Sequence, residues 1–150
     1  MMDDDEVVAV LNELIGTCKD GEYGFATCAE RVNAASLKEL FLKRASGCRA
    51  AARELQSLVV QLGGEPAERG SVMAALHRGW VSVMDVLSAD ADHAVLAECE
   101  RGEDVALAHY RKALASDGLP LAVREVIERQ CAGVQANHDH VRRLRDSVIT

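Results

Sequence analysis

Apolar positions along the chain step by three or four rather than alternate, which is the period of a helix with one buried face. A first run over residues 4–33 carries Val7, Leu11, Leu14, Cys18, Glu22, Phe25, Ala29 and Val32 in phase. A second opens at Ser36 and carries Leu37, Phe41, Ala45, Cys48, Ala52, Leu55, Val59 and Leu62. Ser36-Leu37-Lys38-Glu39 has the form of a capping box, its hydroxyl set for one orphan amide and its carboxylate for another. Gly63-Gly64 ends this helix, and Pro66 blocks any continuation. After a polar loop over 63–70, Ser71 opens a shorter amphipathic helix with Met73, Leu76, Trp80, Val83 and Leu87 on one face. A third long helix, about 91–115, aligns Val95, Cys99, Glu103, Ala106, Tyr110 and Leu114. Asp117-Gly118 closes it, and Pro120 sits where the first turn of the next helix tolerates proline. That last helix runs to about 147, with Val123, Ile127, Cys131, Val134, His138, Val141 and Val148 in phase.

The connections between the first and second and between the third and fourth long helices are short, so each flanking pair is expected to form an antiparallel hairpin. About 27 residues separate the second helix from the third. At about 1.5 Å per helical residue, that length spans a bundle end to end. The expectation is an all-α, ferritin-like four-helix bundle covering 1–150 as one domain, its two hairpins joined by a crossover that holds the short fifth helix. The halves echo each other: Lys19-Asp20-Gly21-Glu22 resembles Glu100-Arg101-Gly102-Glu103, and Ser46-Gly47-Cys48-Arg49 loosely resembles Ala132-Gly133-Val134-Gln135. First like third and second like fourth is the order a duplicated hairpin gives.

Composition narrows the function classes. Hydrophobic residues make up 49% of the chain but include only two Phe, two Tyr and one Trp, so the core must be built from aliphatic, Met and Cys side chains. A net charge of −7 argues against nucleic acid and against anionic membrane surfaces. No apolar run reaches membrane-spanning length, and the acidic start Met1-Met2-Asp3-Asp4-Asp5-Glu6 is unlike a basic signal peptide. A cytoplasmic protein with reduced thiols is expected. Five cysteines without CxxC spacing make neither a disulfide framework nor a zinc ribbon. Phosphate loops, Ser/His/Asp orders and nucleophile elbows are missing too, so no catalytic residues are assigned.

The remaining chemistry lies in polar residues on the apolar stripes. Glu22 and Glu103 each follow a glycine and face the core, where a carboxylate is costly unless paired, protonated or metal-bound. His138 lies on the last stripe with Gln135 three residues before it. A di-iron bundle takes a Glu from each of two helices and Glu-x-x-His from each of the others. Here Gln135-x-x-His138 replaces one such pair and Arg49-x-x-Ala52 the other. One reading is a lost site, with Arg49 as a core polar partner of Glu22 and with Glu103 bonded to His138 or Gln135. The protein is then a non-catalytic, stress-associated bundle acting through self-association, as a dimer or larger homo-oligomer, or through a protein partner. A second reading keeps iron or another divalent transition metal on Glu22, Glu103 and His138, helped by Gln135. A third takes Cys18, Cys48 and Cys131, one stripe position on each of three helices, as a thiol cluster, against plain core packing.

Several stretches resemble a known group. They include Leu11-Asn12-Glu13-Leu14-Ile15, Asp20-Gly21-Glu22 with Gly24-Phe25, and Leu62-Gly63-Gly64-Glu65-Pro66. Gly70-Ser71-Val72, Leu76-His77-Arg78-Gly79-Trp80, Glu98-Cys99-Glu100-Arg101-Gly102-Glu103-Asp104 and His138-Asp139-His140-Val141-Arg142 continue the match over nearly the whole chain. In these the protein resembles small bacterial ferritin-like four-helix-bundle proteins grouped under a domain of unknown function. The resemblance implies the ferritin-like fold and a bacterial cytosolic setting. It implies no activity, and it carries over Glu22 and Glu103 as site positions, with Gln135 and His138 beside them.

Overall fold

The computed structural model describes residues 2–68 and 91–149. Four helices account for most of them: α1 (Asp4–Arg31), α2 (Ala35–Gln61), α3 (Ala91–Leu114) and α4 (Leu121–Ile149). The expected short helix over 71–87, and the crossover that holds it, lie outside the described residues. The helices α1 and α2 pack as one hairpin, α3 and α4 as the other, and α1 lies against α3.

The ends of these helices show why they start and stop where they do. Asp3 caps α1 by accepting from Glu6 N at 2.9 Å. Asp4, Asp5 and Glu6 then place negative charge at the positive end of the helix dipole. Gly63 ends α2 with φ 78°, a left-handed conformation open to glycine at little cost, and Gly118 does the same after α3 with φ 93°. Arg124 reaches back from α4 to the last carbonyls of the preceding turn, donating to Leu114 O at 3.1 Å and Ser116 O at 2.9 Å. Pro120 stands just before α4, and its carbonyl accepts from Arg124 N at 2.9 Å.

The start of α2 departs from the sequence expectation. The helix begins at Ala35, so Ser36 is already inside the first turn, and the capping position, Ala34, makes no side-chain bond. Asp92 at the start of α3 serves this turn instead. Its Oδ1 accepts from Asn33 N at 2.6 Å and its Oδ2 from Ala34 N at 3.1 Å. An ionised acceptor with two oxygens satisfies two amides at once, which one hydroxyl cannot do. Asp92→Ala is therefore expected to lower stability by about 1–2 kcal/mol, the usual loss for a removed cap, and Asp92→Asn by less. Thermal melts of the two variants check this.

Among the described residues the core falls into two clusters. One cluster of buried side chains, including Val7, Leu11, Leu14, Leu55, Val59, Tyr110, Val123 and Ile127, fills one end of the bundle. A second, including Phe25, Cys28, Leu37, Phe41, Val95, Leu96, Cys99 and Val141, fills the other. Between them, at mid-height on all four helices, the packing opens.

Candidate functional site

The opening is a cavity of about 600 Å³. Small residues from every helix contribute to its wall. Gly21 of α1, Gly47 of α2, Gly102 of α3 and Gly133 of α4 all line it, with Ala50, Ala51 and Ala106 among them. These four glycines are the ones matched between the two halves of the sequence, so the internal echo marks the level of the cavity. A Cβ at Gly47 or Gly133 would meet nothing within 4 Å. At Gly21 the space is already taken: a Cβ there would come within 2.9 Å of Cys48 Sγ, so α1 and α2 approach closely at this point.

Each helix also brings a polar group to the cavity: Asp20, Arg44, Glu103 and Asn137. Glu103 and Asn137 are 5% and 3% exposed. Asn137 Nδ2 donates to Glu103 Oε2, which holds the two side chains together. Their other oxygens, Glu103 Oε1 and Asn137 Oδ1, are buried without a hydrogen-bond partner among the described residues, as are Asp20 Oδ1 and Arg44 Nε. Such orphans are uncommon, because each forfeits about 1–3 kcal/mol of lost hydration. Burial pushes the Glu103 carboxyl up from 4.5 to about 7, against the opposing pull of the Asn137 bond and of Arg44 and His138. Burial likewise pushes Asp20 up to about 6, opposed by His109.

Next to the cavity the wall is tied by Tyr110, whose hydroxyl donates to Gln130 Oε1 at 2.8 Å. Gln130 Nε2 in turn reaches across to α2, donating to Glu54 Oε1 at 2.8 Å. Arg129 pairs with Glu54 and Arg101 with Glu98, so both guanidiniums are already engaged.

The residues singled out from sequence take separate positions. Glu22 turns away from the cavity to Arg49, whose Nε donates to Glu22 Oε2 at 2.6 Å. That pair lies toward the surface, with the Arg49 side chain 57% exposed. Glu103 faces the centre but bonds Asn137, not His138 or Gln135. His138 Nε2 sits 2.7 Å from Asp104 Oδ1 and 3.9 Å from Glu100 Oε1. Gln135 bridges Arg111 and Asp139, accepting from one at 2.7 Å and donating to the other at 3.0 Å. Glu22, Glu103 and His138 thus turn to three different partners. Among the described residues no three His, Cys, Asp or Glu gather in a metal-binding group. The metal pair that a ferritin-like bundle can carry takes about four carboxylates and two imidazoles. The donor set here is Glu103 and Asp20 with an amide, and the Arg44 guanidinium sits in the field of Glu103. These residues do not fit a di-metal centre.

The thiols divide between the two clusters. Cys18 Sγ lies 3.2 Å from Tyr110 Oη. Cys48 and Cys131 are also within electrostatic reach of that phenol. Cys28 and Cys99 meet in the other cluster with their sulfurs 3.0 Å apart. All five cysteines are free. Burial pushes the Cys18 thiol up to about 11 and those of Cys48 and Cys99 up as well. Because the thiolate is the reactive form, native labelling at pH 8 should be slow at Cys18, Cys48 and Cys99 and complete only on unfolding. Fast labelling of these three, read by mass spectrometry, would contradict their packing.

The sequence carried signals for the polar groups it did not single out. Arg44 lies three residues after Phe41 and four before Cys48, and Asn137 lies three after Val134 and four before Val141. Both are therefore on the apolar stripes.

No curated protein matches the chain. Among solved structures, a mutant of Dps1 from Mycobacterium smegmatis superposes with a TM-score of 0.79 at 16% identity, over 95% of this chain and 96% of the other. At that identity the likeness is one of fold, and the fold is a ferritin-like four-helix bundle. The model of the family described as Domain of unknown function (DUF2383) matches residues 6–116, and the chain belongs to that family.

Proposed function

We propose that this protein is a non-catalytic binding protein whose bundle centre accepts a small organic molecule. One observation carries the reading. A cavity of about 600 Å³ lies between the two core clusters, and side chains whose buried oxygens have no partner among the described residues line it. Small-molecule pockets run from about 300 to 1,000 Å³, mostly apolar with a few placed polar groups, and this cavity has that size and that wall. Leaving both the space and the oxygens unfilled costs stability, because lining atoms lose packing contacts and orphaned acceptors lose hydration. A bound molecule would recover both. The aliphatic stripes, read alone, would close into a continuous core; the four glycines and the polar groups prevent it.

The test uses a neutral fluorophore, N-phenyl-1-naphthylamine, titrated into the full chain. Saturable binding at one site per chain, lost when Gly47→Leu and Gly133→Leu together fill the space, supports the reading. Helix content by circular dichroism controls for folding. Absence of binding, or equal binding by the filled variant, rejects it.

A further inference from the structure

Resting on that reading, we propose that the cavity is a site for a primary amine with an apolar body, its ammonium held by Glu103 and Asn137. The chemistry of the orphaned atoms selects the head group. Of the four orphaned atoms carried by cavity-lining side chains, Glu103 Oε1, Asn137 Oδ1 and Asp20 Oδ1 are acceptors and only Arg44 Nε is a donor, so the ligand must chiefly supply donors. The first two belong to side chains fixed on each other by the Asn137 to Glu103 bond, so they form one anchor. An ammonium brings three N–H donors and the positive charge that a buried carboxylate lacks. Neither Glu103 nor Asp20 is in an ion pair among the described residues. A carboxylate ligand would meet two acidic groups and could turn only to Arg44, since Arg101 and Arg129 are held by Glu98 and Glu54. The rest of the ligand is set by the glycines and alanines of the lining, which add no polar side chain.

The experiment displaces N-phenyl-1-naphthylamine from the full chain at pH 8 with three probes of equal length: n-octylamine, n-octanol and octanoate. Octylamine should compete at least tenfold more tightly than either of the others. Glu103→Gln should reduce octylamine affinity at least tenfold and leave octanol unchanged, a split that a merely structural loss would not produce. If octanol or octanoate competes as well as octylamine, the amine assignment is wrong while the binding reading stands. If the fluorophore binds and Glu103→Gln leaves octylamine unaffected, Glu103 is not the anchor and the proposal is overturned. If the fluorophore itself does not bind, the binding reading fails first.

Discussion

Glu103→Gln should stabilise the protein at pH 8 by about 3 kcal/mol, roughly 8 °C in melting temperature, and the gain should shrink to about 1 kcal/mol at pH 5. The carboxyl is raised from 4.5 to about 7 because burial disfavours its ion. Above pH 7 the group is ionised in both folded and unfolded chains, and the folded state carries the full cost of the buried charge. Between 4.5 and 7 the folded state holds a proton that the unfolded state has released, so wild-type stability increases as pH falls through that window. Glutamine is neutral throughout and can still accept from Asn137. The groups in electrostatic reach of Glu103 are Arg44 and Cys48 on α2, Cys99 and Asp104 on α3 and Asn137 and His138 on α4, and Asp20 of α1 lines the same cavity. Asp20, itself raised to about 6, shifts stability in the same direction at lower pH. Melts of both proteins from pH 5 to 8 check the prediction, and a variant less stable than wild type at pH 8 would contradict it. The residue that costs the bundle stability is also the one assigned to the ligand, the usual relation between a binding group and a fold that would be firmer without it.

How much of this was legible beforehand depends on the range of the interaction. Helix periods depend on neighbours three and four residues apart, so the stripes through Leu11, Phe41, Tyr110 and Ile127 place these residues in the core, where each is buried. The two glycine-containing echoes were also local, and their four glycines line the cavity. Glu22 was harder. It lies on the same stripe as Cys18 and Phe25, but α1 packs against both α2 and α3, so its buried surface is wide. Gly16, Asp20, Gly24 and Thr27 are buried as well, and the carboxylate at the cavity comes from Asp20 while Glu22 turns to Arg49. On α4 the stripe offered Asn137 and His138 side by side, and ligand chemistry favoured the imidazole where geometry places the amide at the centre. The cap on α2 was not legible at all, because Asp92 lies 58 residues from Ala34 and no local pattern links them.

Phe41→Ala should be the most damaging single truncation, with an expected loss of about 4 kcal/mol and a fall of roughly 12 °C in melting temperature. Phe41 is fully buried. Its ring stacks on Phe25 with centroids 6.1 Å apart, and the chain has no other phenylalanine. The cluster around it is otherwise made of smaller groups such as Ala29, Val32, Ala45, Val95 and Cys99. These are short side chains, so a shift of any one of them refills little of the ring's volume. The loss should therefore lie toward the upper part of the range for such truncations, where the site fails to collapse. Its distribution is informative as well. Among the described residues the two core clusters are joined by the helices themselves and by the polar contacts at mid-height, so the weakened end should open first. Amide hydrogen exchange in Phe41→Ala should accelerate around Val32–Ala45 and Val95–Cys99 while amides near Leu11 and Leu55 keep their protection. Uniform acceleration at both ends would mean that the cavity does not divide the cooperative unit.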